Sequence, residues 1–235
     1  MAASLKLLSG GAAQGLVEAL APQFTAATGY EIDGTFGAVG AMRAKLMAGA
    51  PADVLILTAA LIDDLVRAGE VVDGSRGDLG AVPTCVAVRD GDAKPAIDNA
   101  DTLRAALRAA DAIYFPDPKL ATAGIHFAKV LDALGIVDEV AARLRPHPNG
   151  ATAMRELARA PERRPIGCTQ ITEILNTPGI VPAGPLPGEF ALAAVYAVGI
   201  ATASPHPEPA RQFVGLLTGA AAGALRARLG FAAAG

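Results

Sequence analysis

A repeated alternation of a short apolar run, a glycine-containing turn and a segment with helical period constrains this chain more than any other feature. The first example has the apolar run 5–8, the turn Ser9-Gly10-Gly11 and a helical pattern over residues 12–28. The alternation recurs twice more, with strands predicted over residues 30–36 and 53–57. Three strand–helix units in series predict a parallel sheet with right-handed crossovers, and therefore an α/β fold.

The alternation is interrupted by a glycine-rich loop and restarts after Pro83, which predicts a domain boundary near that residue. Beyond the boundary the sequence predicts a strand over 82–88, helices over 102–110, 123–134, 137–144 and 151–160, strands over 112–115 and 165–169, a connector over 175–188, a strand over 192–201, a helix over 210–217 and a closing segment over 220–229.

Composition and charge exclude several classes of protein. The 235 residues are 52% hydrophobic, so the chain can bury a substantial core and is not disordered. Only 18% are charged and the net charge is -3, which leaves no basic character for binding a phosphate backbone. We therefore expect no nucleic-acid partner.

Neither a membrane span nor an export signal is visible in the sequence. The longest apolar stretch, residues 190–203, is shorter than the roughly 18 residues that span a bilayer, and Lys6 interrupts the first apolar run. We expect no membrane insertion. The protein is cytoplasmic if Met1 is the natural start, and periplasmic if a signal peptide was removed.

The two cysteines carry no signature of a metal site or a disulfide framework. Cys85 and Cys168 lie far apart and lack the close Cys/Cys or Cys/His spacing of zinc sites. The cysteines therefore indicate neither a zinc site nor a disulfide framework. We also expect no other metal and no cofactor.

The segment 37–57, a helix running into a strand, resembles the molybdate-binding substrate-binding proteins of ABC transporters, and its Gly49-Ala-Pro-Ala-Asp53 core is the most specific part. Further matches follow in the order of that family: the opening strand, turn and helix, Asp117-Pro118, Ala123-Gly124-Ile125, Ile166-Gly167 and Leu229-Gly230-Phe231. The resemblance covers nearly the whole chain.

This resemblance implies a type II periplasmic-binding-protein fold: two α/β lobes, each a mixed, mainly parallel sheet flanked by helices, joined by two crossover strands with the ligand between the lobes. Lobe one would comprise residues 1–82 plus 189–235, and lobe two residues 83–188. The resemblance also implies a small anionic ligand, an ABC permease as partner and a monomeric state.

Glycine-rich helix starts are the candidate anion-binding elements, because their first backbone N–H groups are unpaired and lie at the positive end of the helix dipole. The candidate ligand-binding residues at these starts are Ser9, Gly10, Gly11, Gly37, Gly40, Thr58, Thr122, Ala123, Gly124 and Thr152. The alternative for each is a turn that needs glycine for its backbone.

Departures from the family concern the substrate. In the molybdate binders two serine hydroxyls contact the oxyanion, and the corresponding positions here are about Ala12 and Gly40, with Ser9 the nearest substitute. A tyrosine expected in lobe two is also absent, and Gln170 lies in that neighbourhood. Each unmade charge-assisted hydrogen bond costs about 1–3 kcal/mol. We therefore expect an organic anion, a carboxylate, in place of molybdate.

Three charged or titratable side chains are further candidates, each with a structural alternative. Arg43 would supply a bidentate carboxylate contact or be a solvated helix residue. His126 would be a ligand or a catalytic base, or would cap or pack. Glu173 would be a second proton-transfer group or a surface residue.

Two functions remain open from the sequence. The first is a solute-binding protein for a small anion. The second is a cofactor-independent isomerase of the aconitate isomerase type, which the wider group also includes, with His126 as the base and Arg43 and the helix starts holding carboxylates.

Overall fold

The computed structural model describes residues 3–233, and their contacts divide the chain into two units. The first unit runs to Val82 and resumes at Val195, and the second comprises Pro83–Ala194. The strands are β1 (Ala3–Gly10), β2 (Tyr30–Gly37), β3 (Val54–Thr58), β4 (Gly77–Arg89), β5 (Ala112–Pro116), β6 (Leu144–His147), β7 (Pro165–Gln170), β8 (Ile180–Pro185) and β9 (Ala193–Ile200). The helices are α1 (Gln14–Thr28), α2 (Val39–Met47), α3 (Ala59–Arg67), α4 (Ala100–Ala109), α5 (Thr122–Ala133), α6 (Val137–Val140), α7 (Gly150–Ala158), α8 (Ile171–Leu175), α9 (Pro207–Thr218) and α10 (Gly223–Arg228).

In the first unit, β1 pairs in parallel with both β2 and β3, and β9 pairs antiparallel with β3. This confirms the parallel sheet predicted from the three strand–helix units. The chain leaves this unit within β4 and returns to it within β9. The chain rejoins the first unit at Val195, and not at residue 189 as predicted from the sequence. The reason is that Phe190, in a one-turn 3-10 helix, packs in the core of the second unit.

In the second unit, β5 lies between β6 and β7 and is parallel to both. Strand β4 is antiparallel to β7 on one side and to β8 on the other. Apolar clusters form on the two faces of this sheet, one around Leu107, Phe127 and Ile166 and the other around Met154 and Leu157. Every residue of β5 is buried, so the sheet is covered on both faces.

Two predicted segments differ from the structure, the first in part and the second in kind. Residues 137–144 form α6, a 3-10 turn over 141–143 and the first residue of β6, because Pro146 favours an extended conformation for the residue before it. The predicted connector 175–188 contains β8, an edge strand, and an edge tolerates Pro182 although proline lacks a backbone N–H.

The family-specific core 49–53 ends in a structural anchor. Asp53 is 1% exposed, and its carboxylate accepts hydrogen bonds from the backbone N–H of Lys6 at 2.7 Å and the hydroxyl of Ser204 at 2.5 Å. Its backbone N–H and C=O also bond, to Lys6 and Ala201. One side chain thus ties the start of β3 to β1 and to the chain after β9.

Candidate functional site

The candidate residues of the first unit meet at one edge of its sheet. Gly10 and Gly37 end β1 and β2 and are register partners, and Ser9 pairs with Ile56, two residues before the end of β3 at Thr58. Because parallel strands end at the same edge, the turns into α1, α2 and α3 lie side by side, which is where open α/β sheets bind ligands. The candidates that this edge brings together are Ser9, Gly10, Gly11, Gly37, Gly40 and Thr58.

None of these three helix starts has a side-chain cap. The N-cap residues are Gly10 for the 3-10 turn leading into α1, Ala38 for α2 and Thr58 for α3, and none makes a side-chain cap hydrogen bond. The first backbone N–H groups of a helix have no intrahelical partner. The edge therefore presents amide donors and positive dipole ends, which suit an anion.

Close packing accounts for two of the glycines at this edge. A Cβ on Gly10 would lie 2.8 Å from Val39 Cγ1 and 2.9 Å from Tyr196 Cε1, and one on Gly37 would lie 2.9 Å from Met42 Cε. Neither glycine has a positive φ. They are needed because the chains approach closely, and not because a turn demands a left-handed backbone.

Two side-chain candidates of this unit differ in availability. Ser9 is fully buried and its hydroxyl donates to the carbonyl of Gly10 at 2.9 Å, so that hydroxyl is used internally. Arg43 is exposed on α2 and has no ion-pair partner within residues 3–233. Its guanidinium is open to an external carboxylate.

In the second unit the candidates also lie at the carboxyl ends of parallel strands. Pro116 and His147, the last residues of β5 and β6, are register partners, and β7 ends at Gln170 in the same direction. Helices α5, α7 and α8 begin just after these ends. The candidates that this edge brings together are Thr122, Ala123, Gly124, Thr152 and Gln170.

The start of α5 resembles those of the first unit. Its N-cap, Ala121, provides no side-chain hydrogen bond. A Cβ on Gly124 would lie 2.2 Å from the carbonyl oxygen of Asp117 and 2.3 Å from that of Pro116, so only glycine lets α5 approach the end of β5 this closely. The first amides of α5 are free of a side-chain cap.

His126, one turn into α5, is held by the main chain. Its Nε2 lies 2.7 Å from the carbonyl oxygen of Phe190. A carbonyl can only accept, so Nε2 carries the hydrogen and Nδ1 is the basic nitrogen of the neutral ring. His126 is therefore held in place by the protein, as the packing alternative predicted. Its Nδ1 has no part in this contact and can accept a proton.

The start of α7 is different, because its amides are already used. Asn149 Oδ1 accepts from the N–H of Thr152 at 2.8 Å, and the hydroxyl of Thr152 accepts from Arg155 at 2.9 Å. The N–H groups of Gly150 and Ala151 bond to the side chain of Glu173. The expectation that this start offers unpaired amides is wrong.

Glu173 is the functional group that sequence reasoning placed incorrectly. It is 6% exposed, which contradicts the surface alternative, and its Oε2 accepts from the hydroxyl of Thr169 at 2.5 Å. The N–H of Gln170 is a further donor. Burial raises the pKa of Glu173 above its ordinary 4.5, against the opposing effect of these hydrogen bonds. A glutamate three residues after the N-cap of α8 was the available signal.

A cavity of about 330 Å³ lies away from this edge, at the amino end of β7. Its lining is mainly apolar, and the lining residues include Val88, Ala106 and Pro165 together with Arg163 and Arg164. Since the parallel strands end at the opposite edge, this cavity is separate from the candidate site.

The described part of the chain, residues 3–233, contains no cluster of three or more His, Cys, Asp or Glu that could hold a metal ion. Cys85 and Cys168 are free and buried, in the two apolar clusters on opposite faces of the second sheet. Within the same residues no helix is long and apolar enough to cross a membrane.

Comparison with known proteins gives a family and a fold. Residues 5–232 match the family described as bacterial extracellular solute-binding protein. An aconitate isomerase of a Pseudomonas species is 30% identical over 217 residues, which cover 88% of this chain and 79% of that protein.

Among solved structures, the periplasmic molybdate-binding protein of Azotobacter vinelandii has a TM-score of 0.78 at 23% identity, over 98% of this chain and 100% of that one. The sulfate-binding protein of Mycobacterium tuberculosis has a TM-score of 0.76 at 18% identity, over 97% and 86% of the two chains. These similarities confirm the type II periplasmic-binding-protein fold.

Proposed function

Because the chain belongs to the family of bacterial extracellular solute-binding proteins, we propose that it binds a small organic carboxylate at the carboxyl edges of its sheets. The uncapped starts of α2, α3 and α5 carry the proposal. Each places unpaired amide donors and a positive dipole end at an edge where α/β folds bind ligands. Arg43, exposed on α2, adds a cation that can hold a carboxylate in a bidentate manner.

The preference for a carboxylate over a tetrahedral oxyanion rests on missing donors. Ala12 and Gly40 provide no hydroxyl, and the hydroxyl of Ser9 is used by the carbonyl of Gly10. A tetrahedral oxyanion needs donors on all sides, and each unmade charge-assisted bond costs about 1–3 kcal/mol. A carboxylate has two oxygens and is satisfied by one helix start or one guanidinium.

In this proposal the protein is a monomer that acts in the periplasm and delivers its ligand to an ABC permease. The solute-binding family and the molybdate- and sulfate-binding neighbours support that setting.

Calorimetry with citrate, the aconitates, succinate, molybdate, tungstate and sulfate tests the proposal. We expect at least one di- or tricarboxylate to bind more tightly than every tetrahedral oxyanion. The variant Gly40→Asp places a negative charge in the first turn of α2 and should weaken binding about tenfold or more. Ala100→Asp, in the first turn of α4, is the matched control, because α4 follows the antiparallel strand β4 and starts at the opposite end of its sheet. Failure of every carboxylate to bind would refute the proposal.

A second function, cofactor-free isomerisation of an unsaturated tricarboxylate, is favoured by the Pseudomonas aconitate isomerase relative and by the orientation of His126. In this reaction Nδ1 removes a proton from the CH₂ carbon next to the double bond, the double bond moves by one position, and the imidazolium returns the proton to the carbon at the far end. The proton is conserved and no redox partner is needed. The Phe190 carbonyl keeps Nε2 protonated throughout.

Proton NMR of cis-aconitate in deuterated buffer separates the two functions. An isomerase would produce the trans isomer, with deuterium incorporated to the extent that the imidazolium exchanges its proton with the solvent before returning it. His126→Ala would abolish conversion, whereas His206→Ala, in the first unit, would retain it. Binding without conversion or exchange would dismiss the isomerase and leave the solute-binding function.

A further inference from the structure

The start of α7 holds an anion supplied by the protein itself. The carboxylate of Glu173 receives the N–H groups of Gly150 and Ala151 and the hydroxyl of Thr169. It also receives the N–H of Gln170, at the start of α8. The remaining amide of the first turn of α7, that of Thr152, goes to Asn149. These donors are the kind that bind a ligand anion at other helix starts.

We propose that Glu173 is a specificity-determining residue, whose carboxylate occupies the anion position at the start of α7 and keeps external oxyanions from it. The inference rests on the proposed function, since it concerns which anions the carboxyl edge of the second unit accepts. If Glu173 closes the start of α7, the ligand contacts at the carboxyl edge of the second unit come from the start of α5.

The packing leaves no room for a second anion beside the carboxylate. A Cβ added to Gly150 would lie 1.9 Å from Glu173 Oε2 and 2.1 Å from Thr169 Oγ1. Glycine at this position therefore lets the carboxylate approach the amides directly. Any external oxyanion would have to displace Glu173 and lose its four hydrogen bonds.

Charge strengthens this steric exclusion. The helix dipole offers roughly half an elementary positive charge at the start of α7, and one carboxylate more than neutralises it. A doubly charged oxyanion near this start would then meet a net negative field. A carboxylate ligand carries less charge on each group, and within the second unit the start of α5 can hold it without an approach to α7.

A purely structural role for Glu173 predicts a different outcome. In that case its removal lowers stability and leaves anion selectivity unchanged. If Glu173 occupies an anion site, its removal creates a vacancy that small anions fill.

The experiment uses the full chain with Glu173→Ala, which empties the site, and Glu173→Gln, which keeps the shape and removes the charge. Formate is the probe for the vacated position. We expect millimolar formate to raise the melting temperature of Glu173→Ala by more than that of the wild type, because the vacated position adds a site to those that both proteins share. Glu156→Ala, at the other end of α7, is the matched control and should respond to formate as the wild type does.

Calorimetry with sulfate and molybdate gives the second readout. We expect Glu173→Ala to bind these oxyanions about tenfold more tightly than the wild type does. Glu173→Gln, which removes the charge and keeps the steric exclusion, should also bind them more tightly than the wild type, by a smaller factor. The Gln variant keeps the test decisive if the Ala variant does not fold. Unchanged oxyanion affinity in the Gln variant, or a Glu173→Ala variant that folds but is stabilised by formate no more than the wild type is, would overturn the inference.

These outcomes are independent of the carboxylate titrations on the wild type. A wild type that binds no carboxylate refutes the proposed function, while the formate and oxyanion results still decide the role of Glu173.

Discussion

Thr169 Oγ1 donates a hydrogen bond to Glu173 Oε2 over 2.5 Å, across the junction where β7 becomes α8. Both side chains are buried, and the amides of Gly150, Ala151 and Gln170 complete the shell of the carboxylate. Burial still raises the pKa of Glu173, because the desolvation of the charge outweighs these bonds. The carboxyl therefore holds its proton more tightly in the folded than in the unfolded chain.

This pKa shift predicts the pH dependence of stability. Below the ordinary pKa of 4.5 the carboxyl is protonated in both states and its stabilising contribution is fully present. As pH rises through the folded pKa, the folded protein must ionise a buried group and the contribution is lost. Urea unfolding of the wild type and of Glu173→Gln should be measured from pH 4 to pH 8. As pH rises, the free energy of unfolding of the wild type should fall relative to that of the variant.

The Gln variant is the reference because it mimics the neutral form and does not titrate. Titrations of all other groups are common to both proteins and cancel in the difference. A difference that is independent of pH from 4 to 8 would contradict the prediction.

Gly150→Ala should destabilise the second unit. Its Cβ would lie 1.9 Å from Glu173 Oε2, so the carboxylate must move and lose its amide donors. Overpacking of this kind costs about 1–3 kcal/mol. Gly215→Ala is the control, because Gly215 is also helical, in α9, and a Cβ there meets nothing within 4 Å. Urea unfolding should show that the control is as stable as the wild type or more stable.

Asp53→Asn should destabilise the first unit by about 2–3 kcal/mol, because two donors lose a buried charged acceptor. Asp33→Asn is a matched control, since Asp33 bonds the side chain of Lys6 while Asp53 bonds its backbone. The side chain of Asp33 is 57% exposed, so its removal should cost less than about 1 kcal/mol. Equal losses in denaturant unfolding would show that Asp53 is no anchor.

The order of strands and helices could be predicted from the sequence, because the periodicity of apolar residues and the glycine-containing turns are local signals. The sheet edges where the candidate glycines lie could also be predicted, because parallel strands end at the same edge. Strand β6 and edge strand β8 were not predicted, because both contain proline, which is typical of loops and turns. Such short strands are defined by pairing with a distant partner, which no local pattern contains.

The misjudged start of α7 has the same cause. Asn149-Gly150 looks like the other glycine-rich starts in sequence, and what distinguishes it is a carboxylate from α8 that reaches its amides. The helix starts in the first unit could be identified from sequence because no distant side chain caps them.

Both thiols should be inert in the folded protein. Burial raises the pKa of Cys85 to about 11 and that of Cys168 well above its ordinary value. At pH 8 only roughly one Cys85 in a thousand is then a thiolate, the reactive form. Ellman's reagent should titrate two thiols in guanidinium and react with the native protein only at the rate of unfolding. Rapid stoichiometric labelling of native protein would contradict this.

Asn149 and Asn99 cap α7 and α4 in the same way, and comparing them separates stability from binding. Each side chain accepts from backbone N–H groups in the first turn of its helix, so each change to alanine should cost about 1 kcal/mol in urea unfolding. Only Asn149 lies at the carboxyl edge of the parallel strands, where its loss frees the N–H of Thr152. Because Glu173 already occupies the anion position at the start of α7, neither Asn149→Ala nor Asn99→Ala should change the affinity for anions measured by calorimetry. A change in affinity in Asn149→Ala alone would mean that the freed N–H of Thr152 contacts the ligand, and it would contradict the role assigned to Glu173.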